Sequence, residues 1–217
     1  MVDFERARLT MVDNQLRTSN VTDRRLLAAM GTIEREKFVP ASRQALAYID
    51  EAHDLGHGRA IPAPAAFAKL VQLADVRATD AVLDLGAGLG YSTAVLAQLA
   101  HEVVGVESDA ALAAEARKAL AAAGISNAEI VVSNFEEADP HARGFDVIIL
   151  EGMVDAVPHS LFRLLRDGGR LVAMIRRGPT AVANVFVKSG DTVNSRAEFN
   201  TSLPPLTTTK KPDEFVF

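Results

Sequence analysis

The chain has 217 residues, 48% of them hydrophobic, with 23 Lys and Arg against 28 Asp and Glu, a formal net charge of −5 and no cysteine. That length suits one α/β domain with a sizeable core. The missing thiols exclude disulfides, thiolate catalysis and zinc–thiolate sites. The acidic balance, with basic pairs only in isolation (Arg24-Arg25, Arg176-Arg177, Lys210-Lys211), argues against a nucleic-acid partner. Met1 to Arg8 is charged, and no apolar run reaches membrane-span length, so the expectation is a cytoplasmic protein with no membrane partner.

Residues 1 to about 50 read as helical: Phe4, Ala7, Met11 and Leu16 recur at near-helical spacing, as do Leu26, Leu27 and Met30. Thr22 is the expected cap of the second helix and Gly31 its stop. Residues 50 to 64, rich in Gly, His and Pro, read as a loop, and Pro64 to about Ala74 as a helix. From Ala81 strands and helices alternate. The predicted strands are Ala81 to Leu85, Glu102 to Glu107, Ala128 to Ser133, Phe145 to Glu151 and Arg170 to Ile175, short and rich in Val, Ile and Leu as parallel strands covered on both faces are. Asp109 to Ala123 reads as a helix stopped by Gly124, and Pro158 to Arg166 as another. Ala181 to Lys188 and Val193 to Thr201, around Ser189-Gly190-Asp191, read as an antiparallel edge pair. Residues 203–217 read as an irregular tail.

The stretch with chemistry in it is Val82-Leu83-Asp84-Leu85-Gly86-Ala87-Gly88-Leu89-Gly90-Tyr91, followed by a helix and by a strand ending on Glu107. Glycine is required where a backbone turns tightly and a ligand comes closer than a Cβ allows. A carboxylate at the tip of the second strand can accept both hydroxyls of a ribose. The dinucleotide fingerprint G-x-G-x-x-G does not fit, because its sixth position is Tyr91. The pattern G-x-G-x-G with Asp84 two residues ahead resembles the S-adenosylmethionine (SAM) loop of class I methyltransferases, in which an upstream carboxylate helps to fix the methionyl ammonium.

The N-terminal third carries further signatures: Met11-Val12-Asp13-Asn14-Gln15-Leu16, Arg35-Glu36-Lys37-Phe38-Val39-Pro40 and Ala47-Tyr48-Ile49-Asp50. With Val82 to Thr93, Phe145 to Ile149 and Leu165 to Val172, these resemble the protein-L-isoaspartate O-methyltransferases, which repair aged aspartyl and asparaginyl residues. The resemblance covers about Met11 to Met174. It implies an α/β, Rossmann-like class I methyltransferase fold: a mainly parallel doubly wound sheet with an antiparallel edge pair and an N-terminal helical cap. As a single domain this would comprise a cap and acceptor loop (1–64), a SAM-binding core (65–202) and a tail (203–217). It implies SAM as cofactor and Asp84, Gly86, Gly88, Gly90 and Glu107 as residues around it; Tyr91, Asn134, Phe135 and Glu151 join them as candidates by their position and chemistry. Asn134 would bond the adenine amine, Phe135 would stack on the ring, Tyr91 would pack on the methionyl chain, and Glu151 would face the methyl acceptor or cap its strand.

Three segments depart from the family pattern: the family's G-D-G turn after the third strand is Ser133-Asn134-Phe135 here, its C-terminal R-F-V-P-L is not evident, and its acceptor loop is changed. Where the family has G-Q-T-I-S-Q-P, with hydroxyls that handle the reactive carboxylate, this chain has Gly58-Arg59-Ala60-Ile61-Pro62-Ala63-Pro64. Thr is replaced by Ala60 and Ser by Pro62, which has neither hydroxyl nor backbone N–H. Arg59 offers a planar fork of donors that could hold an acceptor carboxylate, or it is a solvent-facing loop residue. His53 and His57 lie four apart among Asp50, Glu51 and Asp54, but Gly56 and Gly58 break the helix that would make this spacing metal-binding, so no metal is expected; either His could line the acceptor pocket. The leading expectation is therefore methyl transfer from SAM to a carboxylate of damaged protein or peptide. The alternatives are a SAM methyltransferase with a different, small-molecule acceptor, and a catalytically silent SAM-binding sensor or scaffold. Oligomeric state is not legible.

Overall fold

A computed structural model describes residues 2–56, 58–138, 144–178, 180–201 and 203–206. Seven strands form one sheet in the order β5-β4-β3-β6-β7-β8-β9. They are β3 (Ala81–Leu85), β4 (Glu102–Glu107), β5 (Ala128–Val132), β6 (Phe145–Val154), β7 (Leu165–Arg177), β8 (Thr180–Ser189) and β9 (Thr192–Thr201). β5 to β7 across the sheet are parallel, while β7–β8 and β8–β9 are antiparallel. The chain builds outward from β3 to β5, then returns across β3 to start β6 on its other side. The carboxyl end of β3 is thus the switch point at which an open α/β sheet binds ligands.

β3 is buried along its whole length and Val147 to Leu150 of β6 are buried too, which explains their unbroken apolar runs. The two faces of the sheet are covered by different clusters. One joins Met11, Leu16, Leu26, Met30 and Phe38 of the N-terminal segment to Phe67, Val82, Val95 and Met174. The other holds Leu83, Leu85, Phe145, Ile148, Leu161 and Leu171. The helices around the sheet are α1 (Phe4–Met11), α2 (Arg24–Thr32), α3 (Pro64–Ala74), α4 (Tyr91–Ala97), α5 (Ala110–Ala122) and α6 (His159–Leu164). None of the described helices is long and apolar enough to cross a membrane.

Several boundaries differ from the sequence reading. Asp23, not Thr22, caps α2, accepting from Arg25 N at 2.8 Å, and α2 runs through Gly31 to Thr32. A carboxylate at the N-cap both accepts these orphan N–H groups and meets the positive helix end, which a hydroxyl does not. Residues 35–38 and 41–46 are 3-10 turns rather than α-helix. The expected loop of residues 50–64 contains a hairpin, β1 (His53–Gly56) with β2 (Arg59–Ile61), in which His53 faces Ile61 and Gly56 faces Arg59. β6 continues to Val154, and β7 begins at Leu165 where helix was expected, because Leu165 pairs with Phe145. The tail is not wholly irregular. Met153 N donates to Pro204 O and Leu206 N to Met153 O, both at 2.9 Å, so residues 204–206 lie along the end of β6. Residues 207–217 lie outside the described residues.

Candidate active site

The switch point gathers Asp84 from β3, the glycine loop, Glu107 from the tip of β4 and Glu151 from β6. Gly86, Gly88 and Gly90 all take left-handed φ values, 98°, 55° and 90°, open to glycine at no steric cost. Gly86 N and Ala87 N both donate to Val106 O, at 2.9 and 3.0 Å, which ties the loop to β4 beside Glu107.

Asp84 is fully buried. Its Oδ2 accepts from Ser92 Oγ at 2.7 Å and Thr93 Oγ1 at 2.6 Å, both on α4, while its Oδ1 has no hydrogen-bond partner among the described residues. Both carboxyl oxygens of buried Glu151 are likewise without a partner there. Burial, which penalises the charged form, raises the Asp84 pKa to about 6 despite the two hydroxyl donors. Burial and then the neighbouring Asp84 lift Glu151 well above the usual carboxylate range. Three acceptor oxygens left over in one buried place, at the mouth of a glycine loop, fit a ligand that brings positive charge and N–H donors.

Glu107 is the opposite case. Its Oε2 accepts from Gly88 N at 2.8 Å, and its Oε1 from Asp109 N at 3.0 Å and Ser108 Oγ at 3.3 Å. Arg59 supplies the rest: Nη2 to Oε2 at 3.0 Å and Nε to both oxygens at 3.2 and 3.3 Å. Burial alone would raise the Glu107 pKa, but Arg59 and these N–H donors more than offset it and hold the carboxyl below its usual range. Arg59 is therefore not a solvent-facing loop residue. Its side chain is 9% exposed, that of Glu107 is 0% exposed, and Arg59 Nη1 also donates to Leu206 O at 3.2 Å.

The N-terminal signatures explain how the hairpin is set against the glycine loop. Arg35 is fully buried, stacks 4.6 Å over the Tyr91 ring, and donates to Ala47 O at 2.8 Å and Pro62 O at 2.7 Å. Tyr48 donates to Glu36, and Gln15 Nε2 reaches Tyr48 O at 2.8 Å. Asp50 Oδ1 accepts from Ala65 N at 2.9 Å at the start of α3. Arg35 thus anchors the loop directly at Pro62, Asp50 anchors the chain just beyond it at Ala65, and Gln15, Glu36 and Tyr48 are bonded to one another, relations that spacing along the chain does not reveal. Tyr91 packs between Phe38 and Phe67, with ring centroids 6.0 and 5.7 Å away.

Beneath the hairpin remains a cavity of about 10 Å³, lined by residues that include Ala60, Ile61, Pro62, Gly86, Tyr91 and Glu151. The two positions that lack the family's hydroxyls therefore do face the site. Asn134 is exposed beyond β5, and Phe135 is half-buried against the second core cluster. His53 is buried on β1, where burial and then Arg35 lower its pKa; His57 lies outside the described residues. Sequence reasoning missed the Arg59–Glu107 pair and the role of Leu206. The available signal for the latter was Leu203-Pro204-Pro205-Leu206, an apolar patch in a polar tail.

The chemistry of the site is compatible with SAM: Asp84 and Glu151 leave three buried acceptor oxygens suited to a cation, and the carboxylate of Glu107 closes β4 beside the glycine loop. The sequence pattern of the family described as protein-L-isoaspartate(D-aspartate) O-methyltransferase matches residues 6–211. Protein-L-isoaspartate O-methyltransferase of Opitutus terrae is 35% identical over 205 residues, covering 93% of this chain and 87% of that protein. The protein of the same name from Methylorubrum populi is 40% identical over 172 residues, covering 79% and 80%. The fold superimposes on a protein-L-isoaspartate O-methyltransferase from Plasmodium falciparum in complex with S-adenosyl-L-homocysteine, with a TM-score of 0.80, 21% identity and coverage of 93% and 99%.

Proposed function

The chain belongs to the protein-L-isoaspartate(D-aspartate) O-methyltransferase family, and from that premise we propose that it methylates a carboxylate of damaged protein or peptide through the site around Asp84, Glu107 and Glu151. The observation that carries this reading is the set of unpartnered acceptor oxygens on Asp84 and Glu151 beside the glycine loop. SAM supplies a methyl group on a positively charged sulfur, which a carboxylate can attack without prior deprotonation, since it is already ionised at neutral pH.

The chain's own work is then to bind, orient and exclude water. Glu107 would hold the ribose hydroxyls, Asp84 and Glu151 the methionyl cation, and the glycine loop the backbone of the ligand. Ala60, Ile61 and Pro62 present an apolar wall on the acceptor side. Such a wall strips water from the attacking oxygen but offers it no hydroxyl. Each missing substrate hydrogen bond is worth roughly 1–3 kcal/mol, about ten- to a hundredfold in rate. Slow turnover of isoaspartyl peptide is the expected behaviour.

The test is methyl transfer from labelled SAM to an isoaspartyl peptide, with SAM binding measured by calorimetry on the same sample. Binding with slow turnover supports the reading, and absence of SAM binding refutes it. Binding with methylation of other acceptors only would favour the second reading, a methyltransferase with a rebuilt acceptor site, for which Ala60 and Pro62 are the specific observation.

A further inference from the structure

We infer that Arg59 is a built-in competitor for the ribose carboxylate, so that cofactor binding requires the β1–β2 hairpin and residues 204–206 to release from Glu107 and Gly86. The inference rests on the reading that this site takes SAM. A carboxylate has about four acceptor positions. The backbone N–H groups of Gly88 and Asp109 take one position on each oxygen of Glu107, at 2.8 and 3.0 Å, with the rotatable Ser108 hydroxyl a longer 3.3 Å contact. Arg59 spans both oxygens on the side that is left. Two ribose hydroxyls need the same lone pairs, so ribose and guanidinium exclude one another.

The glycine loop is covered in the same way. A Cβ placed on Gly86 would lie 2.5 Å from Leu206 Cδ1 and 2.8 Å from Arg59 Nη2, and one on Gly88 would lie 3.0 Å from Leu55 Cδ1. The space that glycine normally clears for a ligand is filled by three side chains of this chain. Among the described residues, the cavity between Ala60, Pro62, Gly86 and Glu151 is about 10 Å³, room for about one water, against several hundred Å³ for a cofactor of this size. The Arg59 Nη1 bond to Leu206 O joins hairpin and tail into one closure, and Leu206 is itself held to β6 through Met153. A latch closed in about nine molecules of ten raises the apparent dissociation constant about tenfold.

The experiment is calorimetric titration of S-adenosylhomocysteine into the full chain and its Arg59→Ala and Leu206→Ala variants, with thermal melts to establish folding. Arg59→Ala should bind roughly tenfold more tightly than the parent or better, although its ligand-free form melts lower because Glu107 loses its cation. Leu206→Ala, which leaves Glu107 and Arg59 intact, should also bind more tightly, and it decides the matter if Arg59→Ala does not fold. A merely structural Arg59 would show the lower melting temperature without the tighter binding. Parent and variants binding equally, or the variants more weakly, would overturn the latch while leaving the cofactor reading in place. No binding by any of the three would overturn both.

Discussion

Replacing Asp84 by Asn tests the electrostatic picture of the site directly. Asp84 is fully buried, and its pKa rises from 3.8 to about 6 in the folded chain. The folded state therefore holds the Asp84 proton more tightly than the unfolded state. Its contribution to stability is full below about pH 3.8 and is lost as pH climbs through about 6. A shift of about two pKa units corresponds to about 3 kcal/mol across the whole window, of which about 1 kcal/mol falls between pH 5 and pH 7.5. Asn keeps an oxygen for the Ser92 and Thr93 hydroxyls and removes a charge from a fully buried position beside Glu151. Ligand-free Asp84→Asn should therefore be more stable than the parent at pH 7.5, by about 1–3 kcal/mol, or several degrees in melting temperature at about 2–4 °C per kcal/mol. The advantage should shrink by about 1 kcal/mol at pH 5. Urea melts of both proteins from pH 5 to 8 measure it. A pH-independent difference, or a variant less stable at pH 7.5, would refute the reasoning. If Asp84 meets the methionyl cation as proposed, the same variant should lose SAM affinity, because its negative charge is gone.

Glu107→Ala should weaken SAM binding by roughly 1–3 kcal/mol in calorimetry and lower stability in urea melts by only about 1 kcal/mol, because Arg59, once without its partner, swings out with the hairpin instead of staying buried. Arg35→Ala should cost about 3 kcal/mol or more of stability, because Ala47 O and Pro62 O lose a charged donor and the Tyr91 ring loses its stacked cation. Ala60→Thr combined with Pro62→Ser should raise isoaspartyl-peptide methylation by about tenfold or more, with unchanged SAM affinity; no gain would show that these positions do not limit the acceptor chemistry. Gly105→Ala should destabilise by about 1–3 kcal/mol in a thermal melt, because the new Cβ would lie 2.6 Å from Ile130 Cδ1 and 2.7 Å from Thr93 Oγ1.

The glycine loop, Asp84 and Glu107 were legible in the chain because each is a local requirement: a turn needs positive φ, and a carboxylate is needed where the strand ends. The parallel strands were legible for the same reason, as burial on both faces leaves a local mark in Val82 to Leu85 and Val147 to Leu150. The hairpin formed by β1 and β2 was not, because its alternation is broken by Gly56 and Gly58 and it is held by the distant contacts of Arg59 with Glu107 and Leu206. The capping of α2 was misplaced by one residue for want of the side-chain geometry that distinguishes Thr22 from Asp23.

By itself the sequence determined the sheet, the cofactor loop, the loss of two hydroxyls at Ala60 and Pro62, and the membership of a family whose signatures stand at Gln15, Arg35 and Tyr48. Only the tertiary structure decided what Arg59 does. It lies 48 residues from Glu107 and 147 from Leu206, and no local propensity relates such distant positions. Burial does so: a guanidinium enclosed by the hairpin must find an anion or stay outside, and it takes the carboxylate at the tip of β4. Local rules thus set the glycine loop and its flanking carboxylates, and a residue from far along the chain came to rest on one of them.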